Sequence, residues 1–193
     1  MKSGLTLPEI LVAIVITGIF LWLARPTIIV GPLPKGTQTQ MLSNMKQLHL
    51  ATQQMDLDAN TTGDTNIGWP GDLGGSFERW ATNLVGGNYL STNDLCKLLS
   101  VPRHPTPPPV MPLTNNNAVL VYAVTSSSSS NTVFLSSANF INSPTGGQPP
   151  RASSAPFGQK GFVVFNRGGD GAILPQRHAG NTNIIGEYAP LCK

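Results

Sequence analysis

The chain has 193 residues, of which 40% are hydrophobic and only 11% charged, with a formal net charge of +3. That length accommodates an apolar stem and one globular domain able to bury a core. The positive charges Arg103, Arg151, Lys160, Arg167 and Arg177 lie in separate segments, which argues against a nucleic-acid surface, and the neutral, polar balance suits a protein that meets many copies of itself.

The first segment, MKSGLTLPEILVAIVITGIFLWLARP, holds a small basic leader, Gly4, and an apolar run from Leu5 to Ala24 whose only charge is Glu9. As a helix this run is roughly 30 Å long and matches the hydrocarbon core of a bilayer. An acid inside it costs on the order of 2.5 to 3.5 kcal/mol and calls for a cationic partner. A secretory signal peptide would show a small-residue cleavage site near Ala24 and Arg25, and none is present. A plain membrane anchor explains the length but leaves Glu9 without a role.

Gly4, followed by Leu5, Thr6, Leu7, Pro8, Glu9 and the apolar stretch, resembles the prepilin leader of type IV pilins and type II secretion pseudopilins. The resemblance implies cleavage between Gly4 and Leu5 by a prepilin peptidase and N-methylation of Leu5. Glu9 then becomes the fifth mature residue and pairs with the amino terminus of a neighbouring subunit. Gly18 and Pro26 fall where such stems loosen during filament packing. Gly and Pro cost about 1 and 3 kcal/mol in a helix interior. Pro8 departs from the common aliphatic residue, but in a first turn its missing N–H has no acceptor to lose.

Pro26, Gly31, Pro32, Pro34 and Gly36 predict a break over 26–36. From Thr37 to Asp58, Met41, Met45, Leu48 and Met55 recur at helical spacing and predict an amphipathic helix, the resemblance implying that its apolar stripe carries the sheet of the head. Leu42 to Ala51 also resembles a run common in pseudopilin-like proteins. His49 on this helix reads as an exposed residue. Asp56, Asp58 and Asn60 alternate as in a calcium loop, but the glycine comes too late and Ile67 stands where a bidentate acid is needed, so a polar turn ending the helix is expected.

Ser76 to Gly87 opens on a capping residue and closes on glycines, predicting a short helix with Phe77, Trp80, Leu84 and Val85 inward; a second follows from Ser91. Pro102 to Pro112 predicts an irregular crossing. Ala118 to Val124 and Thr132 to Ala138 read as two strands flanking a polar, mobile serine loop, where O-linked sugar is the less favoured reading. Gly161 to Gln176 reads as a hairpin with a Gly-Gly-Asp-Gly turn. Arg177 to Asn183 partly resembles a C-terminal motif of pseudopilin-like proteins, with Gly186 and Glu187 in place of an Asp-Gly pair.

The expected fold class is α+β and pilin-like: a long N-terminal hydrophobic stem helix, interrupted near Pro26 to Gly36, with an antiparallel β-sheet head. The domains are a leader 1–4, a transmembrane stem 5–25, the break 26–36, and a head 37–193 that includes the helix 37–58. The resemblance places the head outside the cytoplasm, where Cys96 and Cys192 would pair, closing a loop of about 95 residues worth on the order of 4 kcal/mol. Major pseudopilins bind calcium through a C-terminal loop, which makes Asp170 a candidate ligand, although one carboxylate is thin for an ion that gathers six to eight oxygens. No other metal or cofactor is expected. The histidines His49, His104 and His178 lack metal-ligand spacing, and no nucleophile or phosphate-loop motif is present, so no enzyme is expected.

The implied function is structural: a subunit of a bacterial type IV pilus-like filament, with a type II secretion pseudopilin as the alternative within the class and a monomeric membrane-anchored binding module as the alternative outside it. The implied partners are other copies in a helical homopolymer, the prepilin peptidase, an inner-membrane assembly platform and, before assembly, the membrane. The precursor would sit in the bacterial inner membrane and the product in the periplasm or at the cell surface.

Overall fold

The computed structural model describes residues 34–101, 114–141, 151–152 and 156–193, all within the compact unit Leu33–Lys193. Helix α1 spans Pro34–Thr62. Proline opens it, in the first turn where its missing N–H costs nothing. Gly63 closes it in the left-handed region at φ 71, its N–H bonded to the Ala59 carbonyl at 2.8 Å. Helix α2, Phe77–Gly86, is capped by the Ser76 hydroxyl, which accepts from the Arg79 N–H. Helix α3, Thr92–Leu99, is capped in the same way by Ser91, which accepts from the Asp94 N–H and donates to the Asp94 carboxylate at 2.6 Å.

The strands are β1 Val119–Val121, β2 Thr132–Ser137, β3 Phe140–Ile141, β4 Arg151–Ala152, β5 Phe162–Asn166, β6 Gly171–Leu174 and β7 Glu187–Tyr188. The main sheet runs β1-β2-β5-β6 with antiparallel neighbours, and β7 pairs in parallel with the start of β2. β3 and β4 form a separate antiparallel pair. Register shifts between β2 and β5 at Val133 and Leu135, a bulge that gives the central strand an extra residue. Every residue of β2 is buried, whereas β6 at the edge alternates exposed and half-buried.

α1 lies on the sheet through Met41, Met45, Leu48 and Met55, all fully buried, as their period predicts. Phe77, Trp80 and Leu84 of α2 are buried too, and Val85 is half-buried. Thr52 on the inner face of α1 accepts from Trp80 Nε1 at 3.2 Å and donates to the Leu48 carbonyl at 2.9 Å, so the hydroxyl and the indole satisfy one another inside the core. The two predicted hairpins form: Val119 faces Ser137, and Phe162 faces Leu174. The polar turn between Asp56 and Asp64 is instead largely helical, because α1 continues to Thr62 with the Thr61 and Thr62 hydroxyls bonded back to carbonyls four residues earlier.

The expected pilin-like fold with a long hydrophobic stem helix is corrected. Among the described residues no helix is long and apolar enough to cross a membrane. The long helix is α1, which is amphipathic, and it begins at Pro34, inside the expected 26–36 break. A proline at the first helical position starts a helix as readily as an interior proline stops one. The architecture is a mixed one of helices packed on a mainly antiparallel sheet.

Candidate functional site: the exposed face of helix α1

Gly36, Gln40, Ser43, Gln47, Leu50, Gln54, Leu57 and Thr61 recur at alternating spacings of four and three, and every one is exposed. At 100° per residue they form a single stripe running the length of α1, opposite the buried methionines. None carries a charge. Leu50 is 52% exposed and Leu57 59%, the two most exposed large apolar residues among the described residues. The stripe is neutral from end to end, and its two leucines, one heptad apart with Gln54 between them, are its large apolar side chains.

Beside this stripe lies an open groove of ≈ 330 Å³, lined by Thr39, Leu42, Ser43 and Lys46 of α1 and by Phe165, Gly169 and Gly171. It exists because glycine occupies its far wall: a Cβ at Gly171 would collide with Leu42 and Phe165. Lys46 is its only charged lining residue.

The back of α1 is tied to the sheet by His49. Its ring is 3% exposed and lies 5.2 Å from Phe165, 5.8 Å from Trp69 and 6.2 Å from Phe134, ring centre to ring centre. Nε2 donates to the Arg167 carbonyl at 2.7 Å. The Arg167 guanidinium lies 5.4 Å over Trp69 and donates to the carbonyls of Ser126 and Ser128, while Asp72 accepts from the Ser126 N–H at 2.8 Å. The serine loop expected to be mobile is thus held at both ends of its turn. His49, expected to be exposed, is buried; a hydrogen-bond acceptor donated by a turn 118 residues away is not visible in local sequence.

Gly4, Leu5, Glu9, Gly18 and Pro26 lie outside the described residues, as do Pro102 to Pro112. Asp170 is exposed in the β5–β6 turn, and among the described residues no group of three or more His, Cys, Asp or Glu is placed to hold a metal ion. No disulfide joins Cys96 to Cys192. Backbone pairing secures the chain end instead: the Cys192 N–H bonds to the Val121 carbonyl, the Lys193 N–H to the Gly75 carbonyl, and the Phe77 N–H to the Lys193 carbonyl. Burial pushes the Cys192 thiol up to about 12, keeping it a thiol.

Fold and surface together define one unit of helices and mainly antiparallel sheet whose longest helix buries its methionines and exposes a neutral stripe along the opposite side. Compared with family models, curated proteins and solved structures, the chain matches none.

Proposed function

We propose that this chain is the structural subunit of a bacterial type IV pilus-like filament, processed between Gly4 and Leu5 and assembled through α1 and the apolar segment that precedes it in sequence. The observation that carries the reading is the neutral heptad face of α1, exposed along its whole length on the side away from the head's core. Burying the two exposed leucines against neighbouring copies removes apolar surface from water, and the uncharged row leaves no charge to desolvate, its amides and hydroxyls being able to pair across the contact. Glu9, alone in its apolar segment, supplies the acid that a neighbour's amino terminus neutralises.

The test is intact mass and N-terminal sequencing of material sheared from cells. A mature chain beginning at methylated Leu5 and recovered in filaments supports the proposal. A chain retaining Met1 and confined to membranes overturns it and leaves a membrane-anchored monomer. Glu9→Leu is expected to abolish filaments while the precursor accumulates in the membrane; a plain anchor would be unaffected or stabilised.

A further inference from the structure

We infer that neighbouring copies engage by a knob and a groove: Leu57 of one copy seats in the groove beside Lys46 of the next, with the two α1 helices parallel and staggered. The inference rests on the filament reading and names the contact and register within it. Leu57 is the most exposed large apolar residue among the described residues and is flanked by Asp56 and Asp58. Asp58 is held in place, since its carboxylate accepts from Tyr89 Oη at 2.8 Å and from Gln54 Nε2 at 3.1 Å. The groove offers the complement. Leu42 and Phe165 supply apolar surface, Gly169 and Gly171 leave room, and Lys46 supplies the one charge, opposite in sign to the acids beside the knob.

Leu57 and Lys46 stand about 16 Å apart along the same helix, so a copy cannot fill its own groove and a neighbour displaced along the axis by that distance does. Knob and groove are different patches, which makes the contact heterologous; it repeats from copy to copy and propagates instead of closing. An antiparallel pair would also bring Leu57 to the groove, but twice over, closing a dimer with Leu50 facing Leu50 on its two-fold axis. A filament whose copies all leave the membrane from the same side requires the parallel arrangement.

The experiment uses the full-length chain in cells carrying Ser43→Cys and Leu57→Cys together, oxidised and run on a non-reducing gel, with each single variant and the unaltered chain, which retains Cys96 and Cys192, as controls. A ladder of multimers confined to the double variant is the expected result. A single dimer band, joined by efficient self-coupling of Leu50→Cys, overturns the parallel arrangement. Filaments without any cross-link overturn the knob and groove while leaving the filament reading intact. Absence of filaments from the unaltered chain sinks the filament reading itself. Leu57→Lys supplies the second measurement: it is expected to lower filament yield roughly tenfold by placing a cation against Lys46, and adding Lys46→Glu to it is expected to restore the yield. No rescue overturns the pairing of these two positions.

Discussion

The imidazole of His49 and the backbone carbonyl of Arg167 meet at 2.7 Å, joining the centre of α1 to the turn between β5 and β6. Because the acceptor is a carbonyl, Nε2 carries the proton. Burial is the main cause that lowers the His49 pKa; the nearby Arg167 charge lowers it further, against the opposing effect of the hydrogen bond. The unfolded chain, whose histidine titrates near 6.5, therefore takes up a proton before the native one does. Stability is complete above that value and declines as the pH falls from it toward the lowered native pKa. Thermal melting from about pH 7.5 to 5.5 is expected to show this decline, and His49→Gln, which keeps a donor but does not titrate, is expected to flatten it. Equal slopes for the two proteins would exclude His49 as the source.

Arg167 holds the serine loop from inside the turn. Arg167→Ala removes a 2.9 Å bond to the Ser128 carbonyl, a second to Ser126, and the contact with the Trp69 ring. A loss of about 1.5 to 3 kcal/mol is expected in denaturant melts. Limited proteolysis is expected to cut between Thr125 and Asn131 in this variant and to spare the unaltered chain.

Thr52→Val keeps the volume of the side chain but leaves Trp80 Nε1 without its acceptor inside the core. The cost expected is about 1 to 3 kcal/mol. Indole N–H exchange followed by NMR under strongly native conditions distinguishes this loss from a general loosening, since the Trp80 indole is expected to speed up more than the other indoles.

Gly186 sits at φ 110, where L side chains are strained, and a Cβ there would strike the Asn131 carbonyl. That carbonyl accepts from the Glu187 N–H and anchors β7 on β2. Gly186→Ala is expected to destabilise the head by more than about 2 kcal/mol in chemical denaturation. The Gly186–Glu187 pair, which departs from the Asp-Gly order of the pseudopilin-like motif, thus has its own structural reason.

Leu50→Asp places a charge at the middle of the exposed stripe. Melting is expected to change by less than about 0.5 kcal/mol, because the side chain is 52% exposed, while on the proposed filament reading recovery of filaments from sheared cells is expected to fall sharply. A variant that assembles normally would remove the α1 face from the subunit contact.

Much of the architecture was legible from residue spacing. The methionine period of α1, the Ser76 and Ser91 caps, and both hairpins are local features, and local features survive translation into structure when packing does not oppose them. The α1 stripe consists of neutral residues at heptad spacing, but residue spacing did not single it out, because only burial separates an outward stripe from an inward one. Boundaries were less legible. Pro34 starts a helix inside an expected break, because the same residue blocks a helix interior and suits a first turn.

What the sequence by itself determined is the amphipathic helix, the two short capped helices and the two hairpins, with the apolar side of the helices, since these follow from backbone geometry and side-chain period over a few residues. β3, β4 and β7, two residues each, carry no such period. Tertiary structure alone decided the rest. His49 became a buried anchor because the Arg167 carbonyl and three aromatic rings converge on it from distant segments. The C-terminal tail is fixed by hydrogen bonds to Val121 and Gly75 with no disulfide to Cys96. The groove beside Lys46 exists only where Gly171 is brought against Leu42 and Gly169 against His49. Each depends on the close approach of residues far apart in the chain, and no local pattern specifies such an approach.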